Sequence, residues 1–148
     1  MLKKIIRTFV RKHERRYFYK KMVNVSYAKR LLENYTGNKA AEENFPFEMT
    51  MINSRLYSSC SEKTMVEMIE AKDRLVARTD RAKKEITKTE SALFSLSPYQ
   101  RELLNAFYIS GAHSGAENIA GRYNVERSTV YRDKNKALVA FANSIGTV

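Results

Sequence analysis

Residues 96–145 read LSPYQRELLNAFYISGAHSGAENIAGRYNVERSTVYRDKNKALVAFANSI, and this stretch decides the fold. It opens with Ser97 as a helix N-cap, Pro98 at the first helical position and Gln100 at the third, a reciprocal arrangement that satisfies free backbone N–H groups. Leu103, Leu104, Phe107 and Tyr108 then form an apolar face, and Ser110-Gly111 offers a stop. Ser114 to Glu117 repeats the S-x-x-E spacing and starts a short helix with Ile119, Ala120 and Tyr123 inward. Asn124 stands where the chain must turn sharply, in a left-handed conformation that Asn tolerates better than most residues. Val125 plugs the turn into the core, and a third helix from Arg127 carries Val130, Ala137, Leu138 and Phe141 on one face. The expected arrangement is helix, tight turn, helix, with a supporting helix before it. Two residues fit it poorly. Glu126 is a weak N-cap, although its charge suits a helix N-terminus, and Asp133 interrupts the buried face between Val130 and Ala137.

Upstream, Ser59 to Glu62 has the spacing of another capping box, and a helix is expected from about Ser61 to Leu93. Its apolar residues are sparse (Met65, Met68, Ile69, Leu75, Val76, Ala82, Ile86, Leu93). A helix this polar needs a partner, in this chain or in a second copy. Its heptads are too irregular to specify a coiled coil. Residues 36–57 mix Gly37, Asn44, Pro46 and Asn53 with scattered apolar positions and read as a linker. Before them, Ala28, Leu31, Leu32 and Tyr35 mark a short helix that stops at Gly37-Asn38. Leu2, Ile5, Ile6, Phe9, Val10, Tyr17 and Phe18 mark a basic amphipathic one. The chain is thus expected to be all-α, with a basic helical N-terminal segment and linker (1–57), a long central helix (58–95) and a C-terminal helix-turn-helix (96–148).

The formal charge is +11, from 27 basic and 16 acidic residues. Residues 1–30 hold Lys3, Lys4, Arg7, Arg11, Lys12, Arg15, Arg16, Lys20, Lys21, Lys29 and Arg30 against Glu14, so 11 − 1 leaves +10 there. The other 118 residues are nearly neutral. Such a run is either a solvated tail or an arm that releases counterions from a nucleic acid. The arm's apolar side could also pack on the protein or lie on an anionic membrane, and packing is the commonest outcome. Cys60 is the sole cysteine, which excludes an internal disulfide and a cysteine-based zinc site. No apolar run is long enough to span a membrane, and Met1 to Val10 is no signal sequence. Membrane contact is not expected, and a cytoplasmic location is. His13 and His113 are isolated, and no catalytic, phosphate-loop or metal-ligand motif occurs, so neither enzymatic activity nor a cofactor or metal is expected.

The pattern Leu96-Ser97, Gln100-Arg101, Leu104, Ile119-Ala120, Val125, Thr129-Val130, Arg132, Lys136-Ala137-Leu138 resembles region 4, the promoter-reading domain of bacterial sigma factors. About 50 residues carry the likeness. The layout of the whole chain, a basic helical part followed by a terminal reader, resembles the ArpU/RinA-type late-gene transcription regulators of phages and prophages of Gram-positive bacteria. That resemblance implies activation of late genes at a promoter in the host nucleoid, with double-stranded DNA as partner and RNA polymerase as a second one. A recognition helix places its N-terminal side chains on base edges. Arg127, Ser128, Tyr131 and Arg132 are therefore the base-contacting candidates. Arg122, Thr129, Lys134, Asn135 and Lys136 are candidates for phosphate, with the basic arm adding affinity. A second copy could join through the central helix. The competing expectation is an oligomeric DNA-packaging adaptor of the small-terminase type, which also joins a helix-turn-helix to helical assembly segments.

Overall fold

The computed structural model describes residues 2–58, 61–111 and 115–146, the side chains of 2–11 and 18–23 excepted. Every regular element among the described residues is helical. Helix α1 spans Leu2–Tyr57, α2 Glu62–Phe94 and α3 Pro98–Leu104; α3 widens into a π-helical turn over Asn105–Ile109 before α4 (Gly115–Tyr123) and α5 (Arg127–Ile145). Cys60, His113 and Ser114 lie outside the described residues, and the expected Ser114 cap with them.

The largest departure from expectation is α1. Residues 36–57 are no linker but continue one helix of 56 residues through Gly37 and Pro46. The cause is a partner. Antiparallel to α1, α2 buries Leu75, Thr79, Ala82, Ile86 and Thr89, a 4-3-4-3 spacing that keeps one seam facing one neighbour. The α1 side answers with Ala28, Leu31, Tyr35, Asn38, Glu42, Phe45, Met49, Ile52 and Leu56, all at least half-buried and alternately three and four residues apart. The heptad is regular after all, because threonines, Asn38 and Glu42 occupy seam positions that an apolar reading skips. A mid-helix proline costs about 3 kcal/mol, and burial along this seam offsets it.

Polar contacts fix the pairing. The Asn38 amide donates to Glu85 at 2.8 Å, Arg78 meets Glu48 at 2.7 Å, and Lys39 meets Glu90 at 3.0 Å beside the Tyr35 hydroxyl. The α2 N-cap is Ser61, whose hydroxyl accepts from the Thr64 N–H, in place of the expected Ser59. Gly37 is exposed, and a methyl group added there would meet nothing. Gly37→Ala should therefore stabilise the protein by about 0.5–1 kcal/mol through helix propensity alone. Urea denaturation checks this, and a loss of stability would mean that the helix does not run through residue 37.

The principal core lies at the other end of the hairpin. Ala28, Leu31 and Leu32 of α1 join Ala92, Leu96, Leu103, Leu104, Ala116, Ile119, Val130, Ala137, Leu138, Phe141, Ala142 and Ile145 in one cluster. The four residues expected on the inner face of α5 are all buried in it. Described packing against this cluster begins in α1 at Val25, whereas residues 12–17 are exposed.

Candidate functional site

The site is built on α4, the turn and α5. On α3, Ser97 accepts from the Gln100 N–H while the Gln100 side chain accepts from the Ser97 N–H, so this end is capped as its sequence requires. The π-helical turn closes with the Ser110 N–H on the Asn105 carbonyl at 2.8 Å, and Gly111 at φ 63° ends the element. Gly115 starts α4 in close contact with Ala106, where a Cβ would approach the Ala106 methyl to 2.9 Å.

Asn124 has φ 51°, the left-handed conformation anticipated for the turn. The Val125 N–H bonds the Ala120 carbonyl at 3.1 Å, and both side chains pack on the core. This is the six-to-one closure of a helix C-terminus with its apolar contact. Glu126 precedes α5 in extended conformation and makes no capping hydrogen bond. The chain thereby leaves α4 and enters α5 after three residues.

Asp133 is no gap in the packing. Its carboxylate accepts from the Tyr99 hydroxyl at 2.9 Å and ties α5 to α3. Tyr99 packs against Tyr123 with ring centroids 4.7 Å apart, and the Tyr123 hydroxyl donates to Glu102 at 2.6 Å. Three helices are thus cross-linked by two tyrosines and two carboxylates. Burial, and next the hydrogen bond donated to Asp133, push the Tyr99 phenol up to about 12. A raised folded-state pKa contributes stability that is complete below the ordinary value of 10 and lost as pH rises through about 12. Tyr99→Phe should therefore lower stability at neutral pH and flatten its decline between pH 10 and 12. Denaturation followed across that range measures both, and an unchanged alkaline decline would show that Tyr99 does not carry it.

The outer side of α5 presents Arg127, Ser128, Tyr131, Arg132, Asn135 and Lys136, all exposed, on an arc of about half the helix circumference. Their electrostatic states differ in ways the sequence did not show. The Arg127 guanidinium lies 3.4 Å from the Glu117 carboxylate of α4 and 5.9 Å from the Tyr131 ring. The Tyr131 hydroxyl, more than Glu117, pushes its pKa up. Arg132 and Lys136 pair with no carboxylate among the described residues.

Two expected phosphate ligands are engaged elsewhere. Arg122 is ion-paired to Glu102 and also donates to Asn118 at 2.9 Å. The Lys134 ammonium stands over Phe107 at 5.2 Å, Tyr131 at 5.6 Å and Tyr108 at 5.9 Å, and its side chain is half-buried at the arc's margin. Thr129 is half-buried at the arc's margin. Glu102 and Glu117 escaped sequence reading because each acts across helices, 20 and 10 residues from its arginine. Within the arm, Lys12, Arg15 and Arg16 are exposed. The side chains of Lys3, Lys4, Arg7, Arg11, Lys20 and Lys21 lie outside the described residues.

Among the described residues, no cluster of His, Cys, Asp and Glu could hold a metal ion, and no helix is long and apolar enough to cross a membrane. No family model, no curated protein and no solved structure matches the chain.

Proposed function

We propose that this is a non-enzymatic, sequence-specific DNA-binding transcription regulator that reads the major groove with a helix-turn-helix formed by α4, Asn124–Glu126 and α5. The exposed arc of Arg127, Ser128, Tyr131, Arg132, Asn135 and Lys136 carries this reading. It is polar, cationic and continuous, it begins at the N-terminus of α5, and α3 and α1 hold that helix rigid from behind. Arginine forks suit guanine O6 and N7, and hydroxyls suit either bases or phosphate. Arg132 pairs with no carboxylate among the described residues and suits a base, while Lys136 supplies a point charge for phosphate. The basic arm in α1 would add affinity that carries no sequence information.

The family resemblance gives the biological setting we propose: activation of phage or prophage late genes at a promoter, with host RNA polymerase as protein partner and the nucleoid as location. A second copy would dock through α2, whose Met65, Ile69 and Val76 are exposed along one side. Sedimentation would then show a dimer, whereas a ring of eight or more copies would favour a packaging adaptor.

Selection of bound fragments from genomic DNA tests target and role together. With a selected site in hand, Arg127→Ala should relax preference at one base pair by about tenfold, while Lys136→Ala should weaken all duplexes alike. Equal losses by both variants on selected and random DNA would overturn the assignment.

A further inference from the structure

We infer that Glu117 is a specificity-determining residue: it holds Arg127 as a buttressed fork for a guanine and keeps that end of α5 off phosphate. The inference rests on the DNA-binding reading above and concerns the same surface. Arg127 and Glu117 are exposed, at 62% and 75%, so their 3.4 Å contact contributes little to stability. Its consequence is directional. One terminal nitrogen of the guanidinium faces Glu117 at 3.4 Å and the Tyr131 side chain flanks the group, so the planar fork is biased toward one side of the first turn while staying exposed to an incoming base.

The surrounding charges act in the same sense. A helix N-terminus attracts phosphate through its free N–H groups and dipole. Here Glu126 occupies the N-cap with its carboxylate accepting from the Ser128 hydroxyl at 3.4 Å, and Glu117 stands 3.4 Å from Arg127, so two carboxylates put negative charge beside the first turn, where it disfavours a phosphate. Non-specific binding at this end must place phosphate against those carboxylates, or separate Arg127 from Glu117. A guanine edge demands neither, since it offers two acceptors to the fork and brings no charge. The pair therefore taxes random DNA more than a site with guanine at the matching position.

The experiment uses the full chain, its selected site, duplexes substituted at each position, and random duplex. Wild type, Glu117→Gln, Arg127→Ala and the double variant are compared over a range of salt, with circular dichroism confirming unchanged helicity. Arg127→Ala identifies the base pair that Arg127 reads. At that pair Glu117→Gln should shrink the penalty for replacing guanine by about threefold, tighten binding to random duplex, and steepen its salt dependence by about 0.9, the increment of one added phosphate contact. In the Arg127→Ala background, Glu117→Gln should leave discrimination at that pair unchanged. If Arg127→Ala singles out one pair but Glu117→Gln keeps full discrimination there, or relaxes it equally without Arg127, the role of Glu117 is refuted while DNA recognition stands. If wild type shows no sequence preference, both fall.

Discussion

Phe141→Ala should cost about 3–5 kcal/mol, the range for emptying a fully buried aromatic site, and the loss should be felt in α1 as well as in α5. Phe141 has no exposed surface and belongs to the same cluster as Ala28, Leu31 and Leu32. These α1 residues lie more than a hundred positions away in sequence. Other contacts link the same regions: Thr36 donates to the Ile109 carbonyl at 3.5 Å, and burial, followed by the charge of Glu33, raises the Tyr108 phenol. Hydrogen exchange on the variant should therefore show accelerated amides over residues 25–36 together with those of α3 to α5. Leu31→Ala, expected to cost about 2–5 kcal/mol, should give the reciprocal pattern. Full protection of residues 25–36 in Phe141→Ala would mean that the C-terminal helices fold independently of α1.

On the proposed DNA-binding role, deleting residues 1–21 should produce the largest change in DNA affinity. The segment holds nine lysines and arginines, Lys3, Lys4, Arg7, Arg11, Lys12, Arg15, Arg16, Lys20 and Lys21, against Glu14. Each phosphate contact removed takes about 0.9 from the slope of log K against log salt, so engagement of half these cations would flatten it by about 4. Core packing should survive, because its described contacts begin at Val25. Ranking of selected over mutated sites should survive too, since the proposed base contacts lie on α5. Binding isotherms from low to physiological salt measure both, and an unaltered slope would assign the arm to something other than DNA.

The two ends of the chain differ in how openly their sequence announces their structure. In residues 96–145 the signals are local. A reciprocal cap at Ser97, a left-handed Asn124 and the spacing of Val130, Ala137, Leu138 and Phe141 each fix a feature within a few residues of themselves. The hairpin depends on distant contacts instead. Gly37, Asn38 and Pro46 are reasonable stop signals for an isolated helix. They are overruled by a seam on α2 whose buried members include Thr79 and Thr89, residues counted as polar. At the candidate site, the exposed arc on α5 follows from helical periodicity once Val130 is placed inward. The ion pairs of Arg122 and Arg127 and the seat of Lys134 over three rings need the angle between helices, which no local signal supplies. Asp133 shows both sides of this: its breach of the apolar pattern is visible in sequence, its partner Tyr99 is not.

The seam between α1 and α2 also has a mechanical meaning. A repeat of seven residues fits itself equally well after a shift of seven, so a pair of heptad helices can in principle slide past each other by about 10 Å, the rise of one repeat. Asn38 against Glu85 and Arg78 against Glu48 break that equivalence, because a shift of one repeat would set both pairs against the wrong neighbours. The hairpin is therefore a strut of one fixed register rather than a telescoping pair.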